Sequence, residues 1–305
     1  MSAAPSVAVI VLSWNGREDT LACLRSLAVA TYAPLSIVCV DNGSTDGSAD
    51  AVAAEFPSVR LERLDRNYGF AGGMNAGIRV ALEEGADLVL TLNNDTVVDP
   101  GFLEPLVSAL SADPASAAAC SQMLFAGDPP RVWYAGASWR SRRGYQGRHV
   151  RYGRSPVARE APPYATDRAC AGAMLAPRPV LERIGLFDDQ LFAYGEDVDW
   201  SLRAREAGLH VLVVPASIVR HRVSAASGGE SSPTTIYYGV RNMLEVSERH
   251  APLGRLGTWR RRAVLIAAHV AQALLSSRRG QGLRAVRDGW RDFRRRRFGP
   301  RPSVP

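Results

Sequence analysis

The sequence contains no lysine, so all 37 of its basic residues are arginine. Together with the abundant alanine, this reports genomic base composition rather than function. Cysteine is scarce. Cys23, Cys39, Cys120 and Cys170 are widely spaced and form no CxxC pair, which argues against a disulfide framework or a zinc site and suggests reduced, buried thiols in a cytosolic protein. Long apolar runs are also missing. Ala263–Leu275 is thirteen mostly apolar residues interrupted by His269 and Gln272, against the roughly 20 a spanning helix needs. Met1–Ser6 carries no positive charge, and Val7–Leu12 is an apolar run of six residues that reads as a buried strand, not as a signal peptide. The expectation is a cytoplasmic protein, with peripheral contact at the inner face of a membrane through its basic end.

With 305 residues, 46% hydrophobic and 22% charged, the chain suits an ordinary globular α/β enzyme with a modified C-terminal part. Its net charge of +7 is uneven, most of the excess lying between Arg255 and Arg301, with clusters at Arg260–Arg262 and Arg294–Arg297. Such clusters suit an anionic partner, either phospholipid or nucleic acid. The segment from Ile236 onward reads as helical, and Ala263–Leu275 reads either as a basic helix at a membrane interface or as a core-packing helix with a solvated arginine tail.

The first third alternates strand and helix signals. Ala8–Ser13 is an apolar β-branched run, followed by a turn at Asn15-Gly16 and a helix face at Leu21, Leu24 and Leu27. A second strand, Leu35–Asp41, stops at Asp-Asn-Gly, and Ser44–Phe56 predicts a helix capped by Ser44 or Asp46. Val59–Leu64 is a short strand. A glycine-rich stretch, Asn67–Gly77, leads to a helix near Ile78–Glu84, and Ala86–Leu92 is a further strand ending at Asn93-Asn94-Asp95. Strands separated by helices of this length imply parallel pairing and ligand binding at the strands' carboxyl ends. Phe125–Pro163 predicts long loops or a small antiparallel excursion. Strand-like Cys170–Ala176, a helix around Pro179–Ile184, a helix entered through Glu196–Trp200 and a strand at His210–Val214 follow.

Chemistry-bearing residues gather at the ends of these elements. Asp41 can accept hydrogen bonds from a base or ribose, although a plain turn explains it too. Asp95 closes an apolar strand where a hard cation finds oxygen ligands, and a helix cap competes with that reading. Glu196, Asp197 and Asp199 place three carboxylates within four residues, suited to a general base or simply to a helix N-terminus. His221, after a strand, suits a metal site, but a lone histidine is more often an ordinary surface or core residue.

Taken together these stretches resemble the family 2 glycosyltransferases of the GT-A fold, particularly their rhamnosyltransferase-like branch. The matching segments are Val9–Asn15, Val40–Asp46, Asn67–Gly77, Leu92–Asp95, Tyr194–Trp200 and His221, in the family's order over roughly residues 6–225. The resemblance implies a mixed, mainly parallel sheet flanked by helices in residues 1–235, with a nucleotide-binding half to about 110, an acceptor half beyond it, and a helical Arg-rich extension over 236–305. It implies that Asp41 contacts the nucleoside, with Ser13 and Asn15 at the pocket's edge, while Asn67, Gly73 and Asn75 line the donor site. Asp95 matches the last acid of the family's DxD metal motif, whose first acid is here Asn93, so that Asn93 and Asn94 face the donor and His221 joins Asp95 on Mg²⁺ or Mn²⁺. Asp197 matches the catalytic base, Glu196 and Asp199 are its shaping neighbours, and Trp200 packs near the acceptor. The implied activity is inverting transfer of a sugar from a dTDP-, UDP- or GDP-sugar to a glycan, lipid-linked or small-molecule acceptor, with dTDP-rhamnose as the favoured donor.

Two other readings compete. A nucleotidyltransferase also sets carboxylates at strand ends around a metal, but Ser13–Arg17 is a poor version of a basic glycine-rich triphosphate loop. A nucleic-acid-binding role through the tail has Trp259, Trp290, Phe293 and Phe298 among arginines for stacking, but leaves the ordered acidic motifs without explanation.

Overall fold

A computed structural model describes residues 4–139, 148–222 and 232–301. The chain runs β1 (Val7–Ser13), α1 (Arg17–Leu27), β2 (Leu35–Asp41), α2 (Ser48–Glu55), β3 (Arg60–Arg63), α3 (Gly69–Glu83), β4 (Leu88–Asn93), β5 (Thr96–Val98), α4 (Leu103–Ala112) and β6 (Ser116–Phe125). It continues through β7 (Val132–Tyr134), β8 (Ala137–Ser138), β9 (Arg148–His149), β10 (Tyr164–Thr166), β11 (Ala173–Pro177), α5 (Arg178–Ile184), α6 (Glu196–Glu206) and β12 (His210–His221). Three helices end the described chain: α7 (Pro233–His250), α8 (Arg255–Leu275) and α9 (Arg279–Arg294).

The central sheet is mixed, in the order β10-β12-β6-β11-β4-β1-β2-β3. Strands β3, β2, β1 and β4 are all parallel, β11 runs antiparallel between β4 and β6, and β12 is parallel to β6. β1 is buried along its whole length, as expected of a strand covered by helices on both faces. Leu21, Leu24 and Leu27 turn inward from α1 as their spacing predicts. In the irregular middle, β7 folds back on β6 and β8 pairs antiparallel with β9; residues 140–147 of that stretch lie outside the described residues.

Two helix starts differ from expectation. α2 begins at Ser48, because Asp46 turns back to accept the Ser48 N–H at 3.0 Å and the Arg17 N–H at 3.1 Å. α3 begins at Gly69, so the glycine-rich stretch is itself helix. Its glycines serve close packing: a Cβ on Gly77 would lie 2.3 Å from Ile10 Cγ2, and one on Gly73 would lie 2.5 Å from Leu12 Cδ1. The helix gives up propensity to approach β1.

All four cysteines are buried and free, and burial pushes the Cys23, Cys39 and Cys120 thiols up to about 12. No described helix is long and apolar enough to cross a membrane. Of the four tail aromatics, Phe293 is buried, Trp290 and Phe298 are half-buried, and Trp259 alone is exposed, so the tail presents no row of stacking rings.

Candidate active site

Parallel pairing brings the ends of β1, β2 and β4 side by side, with Ser13 opposite Asp41 and Leu12 opposite Asn93. Asp41 is 5% exposed; its Oδ2 accepts the Ser44 N–H at 3.3 Å, and its Oδ1 is buried without a hydrogen-bond partner. An unsatisfied buried acceptor is costly, and a donor group on a nucleoside would satisfy it. Asn15, at φ 56°, joins the two strand-end loops by donating its N–H to Ser44 Oγ (2.9 Å) while its Oδ1 accepts the Thr45 N–H (2.9 Å). Asn67 Oδ1 accepts from Gly69 N–H and from Asn42 Nδ2.

Several expected donor-site residues act from underneath. Ser13 is 1% exposed and its Oγ lies 2.9 Å from Thr20 Oγ1, so it braces the loop and does not face the pocket. Asn75 is equally buried: its Nδ2 donates to Phe187 O and Asp189, and its Oδ1 accepts the Phe187 N–H. Both its amide N–H groups are committed within the fold, and it tethers α3 to the segment before α6. Gly73 contributes space, not contact. Asn94 donates to Thr20 Oγ1 at 2.9 Å.

The second cluster forms where β5 pairs antiparallel with the end of β12, setting His221 opposite Thr96. Asp95 Oδ1 lies 2.9 Å from His221 Nε2, and Asn93 Nδ2 lies 3.3 Å from the same nitrogen. His221 is 4% exposed and its Nδ1 has no hydrogen-bond partner. Among the described residues, no group of three or more His, Cys, Asp and Glu side chains is arranged to hold a metal. One carboxylate and one imidazole nevertheless fit a hard divalent cation that keeps water and diphosphate oxygens as its other ligands.

The third cluster sits at the N-terminus of α6, where the macrodipole favours negative charge. Glu196 is 7% exposed with Oε2 unpartnered, while Asp197 is half-buried. Burial pushes both carboxyls up. Glu196 is raised further by the charge of Asp197, whereas Asp197 is held back by Arg168. Of the two, Glu196 carries the stronger push toward the protonated form, and only Asp197 has the Arg168 cation as its main opposing influence. Arg168 is itself aimed by His149: burial, then Arg168, pushes that imidazole down to about 4, so neutral His149 accepts from Arg168 through Nε2 while its Nδ1–H donates to Trp133 O at 2.8 Å. Trp133 stacks edge-on against His149 at 5.3 Å and against His221 at 4.4 Å. This row of rings runs from the cation corner to Arg168, whose charge bears on the acid pair.

Asp199 and Trp200 do other work than expected. Asp199 is wholly buried and pairs with Arg203 (2.9 Å), Arg249 (2.9 Å) and His250 (2.8 Å), bolting α6 to α7. Burial pushes its carboxyl up, but those partners outweigh it and hold it below the usual range. Trp200 is 0% exposed and donates Nε1–H to Gly185 O at 3.1 Å. It is a core residue and cannot face an acceptor.

The loop that delivers the acid pair is strained, with Phe192 and Tyr194 both at φ 64° before Gly195 at φ 96°; such conformations for non-glycine residues cost on the order of 1–3 kcal/mol each. α7 holds it in place. Asn242 Nδ2 donates to Leu191 O (2.8 Å), Ala193 O (2.8 Å) and Tyr194 O (2.6 Å), and Arg241 Nη2 donates to Leu191 O (2.9 Å). Phe192 stacks on Tyr238 with centroids 5.5 Å apart. Arg168, His149, Arg241 and Asn242 carried no motif in the sequence, and only their folded neighbours reveal them. Asn42 was visible inside the Asp-Asn-Gly turn, but its role of pinning Asn67–Gly69 was not.

Solved structures share this architecture. GalNAc-T7 with UDP, GalNAc and Mn²⁺ superposes with a TM-score of 0.63 at 20% identity, over 79% of this chain and 48% of that one. A Pyrobaculum calidifontis mannosyltransferase with GDP-Man and Mn²⁺ gives 0.56 at 17%, over 94% and 74%. Among curated proteins, the N-acetylglucosaminyl-diphospho-decaprenol L-rhamnosyltransferase of Mycobacterium tuberculosis is 27% identical over 83% of this chain and 86% of its own length. The dTDP-rhamnosyl transferase RfbF of Shigella flexneri is 26% identical over 71% and 72%. Residues 8–166 match Glycosyl transferase family 2. The chain belongs to that family and is a glycosyltransferase of GT-A fold.

Proposed function

We propose that this enzyme is an inverting rhamnosyltransferase that moves L-rhamnose from dTDP-L-rhamnose to a hydroxyl of a lipid-linked glycan. The observation that carries the reading is Asp197, a half-buried carboxylate at the start of α6 whose burial pushes it up while Arg168 holds it back, beside the more strongly raised Glu196. The two curated relatives above, both named as rhamnosyltransferases, supply the choice of sugar, and the decaprenol-linked name of the first supplies the choice of acceptor. Residues 1–235 form the catalytic part in this reading and 236–305 its helical extension, and a lipid-linked acceptor puts the reaction at the cytoplasmic face of a membrane.

The chain's own groups divide the work. Asp41 receives the nucleoside through its unpartnered Oδ1. Asp197 takes the proton from the acceptor hydroxyl as that oxygen bonds to the anomeric carbon and the bond to the diphosphate breaks. A single displacement of this kind inverts the anomeric centre. Asp95 and His221 are the residues to hold Mg²⁺ or Mn²⁺, which when bound supplies positive charge against the departing diphosphate. Glu196, protonated, keeps a second negative charge away from the reacting centre.

The test is thermal melting with Mn²⁺ and a panel of dTDP-, UDP- and GDP-sugars. Ligand at 100 times its Kd adds about 2.7 kcal/mol, and we expect dTDP-rhamnose to raise the Tm of the wild type but not of Asp41→Ala or Asp95→Ala. A rise with a UDP- or GDP-sugar alone would overturn the choice of donor. No rise with any sugar would overturn the donor site.

A further inference from the structure

Helix α8 is apolar on both sides: it buries Leu265 and Ala273 together with Arg261 and His269, while Leu275, Leu256 and Trp259 stand 88%, 72% and 68% exposed. Val264 and Leu274 share the outer side at 46% and 48%, and the outward positions between them are alanine. A helix that merely packs on a core presents a polar outer side instead. From Ala263 to Leu275 the outward side carries no charge, and at 1.5 Å per residue that stripe is about 20 Å long.

Arginine brackets the stripe. Arg255 and Arg260 are exposed before it, and Arg278 and Arg279 are exposed after it. Residues 255–301 hold 14 arginines against two acids, Asp288 and Asp292, whereas the whole chain nets only +7. Both acids are buried, at 7% and 1%, where they pair with Arg287, Arg291 and Arg301. The exposed charge around the stripe is therefore of one sign. α9 lies along α8, with Gly282 against Ala273 at one end and Trp290 under Arg262 at the other, so the two form an antiparallel hairpin seated on α7.

We infer that the outer face of α8, with its arginine margins, docks on an anionic bilayer: Leu256, Trp259, Val264, Leu274 and Leu275 enter the headgroup boundary and the arginines meet lipid phosphates. An in-plane helix with apolar residues on one side and only cations around them is the chemistry of interfacial binding, and exposed apolar patches of this extent mark a contact surface. Choosing a bilayer over other anionic partners rests on the lipid-linked acceptor proposed above. The same hairpin supports α7, whose Asn242 and Arg241 hold the acid loop, so docking would set the acid pair at a fixed height over the lipid.

The experiment is flotation of the purified full chain with vesicles of neutral phosphatidylcholine, or of phosphatidylcholine containing phosphatidylglycerol, at low and high salt. Wild type is expected to float with the anionic vesicles, with at least about a tenfold loss in binding for Trp259→Ser/Leu275→Ser. Arg278→Gln/Arg279→Gln should weaken binding at low salt and leave less salt dependence. Both pairs are exposed, and an unchanged Tm verifies folding. Absence of flotation, binding indifferent to either variant, or equal capture by neutral vesicles would overturn the inference. So would a concentration-dependent dimer, or duplex DNA bound in preference to vesicles at physiological salt, if abolished by the Trp259→Ser/Leu275→Ser pair. Flotation needs neither donor nor turnover, so its failure leaves the transferase reading standing, and failure of donor binding is seen separately by melting.

Discussion

Within the first turn of α6, three carboxylates meet opposite fates. Asp199 is buried and satisfied: two guanidiniums and an imidazole surround it and hold its carboxyl low. Glu196 and Asp197 are also withdrawn from water, yet Glu196 keeps an unpartnered oxygen and both are pushed up. The first arrangement ties α6 to α7, whereas the second leaves its carboxyls raised, as the general-base role proposed for Asp197 requires. Carboxylates two residues apart thus meet opposite surroundings, because the helix period sends their side chains to different neighbours.

The sharpest way to break this contrast is Asp197→Asn. Turnover, read as nucleoside diphosphate release, should fall about 10²–10⁴-fold with no loss in Tm, and a rate within about threefold of wild type would remove Asp197 as the base. Asp199→Asn should do the opposite. Removing one partner of a buried ion cluster costs about 3–5 kcal/mol, read by urea unfolding, while the donor-induced rise in Tm survives in the remaining folded protein. A change under about 1 kcal/mol would show the cluster to be ornamental.

That cluster also predicts a pH window. His250 is raised above its ordinary 6.5, so its contribution is complete below 6.5 and fades as pH rises through the folded value. Asp199 is lowered below 3.8, so its contribution is complete above 3.8 and fades as pH falls through the folded value. Stability from this source should peak between 3.8 and 6.5, and Asp199→Asn should flatten the profile. A profile of unchanged shape in the variant would contradict this account.

Asn242→Ala removes the side-chain amide donor to Ala193 O and Tyr194 O and one of the two side-chain donors to Leu191 O. The expected cost is about 1–3 kcal/mol, accompanied by a fall in kcat larger than any change in donor affinity; a fall in donor affinity alone would mean the loop serves binding. The smallest effect is expected of Arg168→Gln. Losing that cation raises Asp197, so the acidic limb of the pH–rate profile moves to higher pH. A limb displaced downward or left in place would argue that Arg168 does not act on Asp197.

Much of the fold was legible from one-dimensional pattern. Continuous apolar runs such as Ala8–Ser13 and Leu35–Asp41 read directly as buried strands, and the polar residues at the strand ends marked the ligand edge. The glycine-rich Asn67–Gly77 misled because glycine's low helix propensity is a local property, while the close approach of Gly77 to Ile10 that requires it is a distant one. Ser13, Asn75 and Trp200 lie in the right motifs but face the interior, since a motif gives residue order and not side-chain direction.

The succession of strands and helices in the first third and the gathering of carboxylates at strand and helix ends follow from periodicity and short motifs, because each depends on neighbours within a few residues. The Trp133–His149–Arg168 row behind the acid pair and the clamp of Asn242 on a strained loop do not, and the joining of Asp95 to His221 was implied by the family resemblance alone. Each depends on residues tens to more than a hundred positions apart, whose meeting is set by sheet pairing and helix packing, and whose protonation is set by the burial that such packing creates.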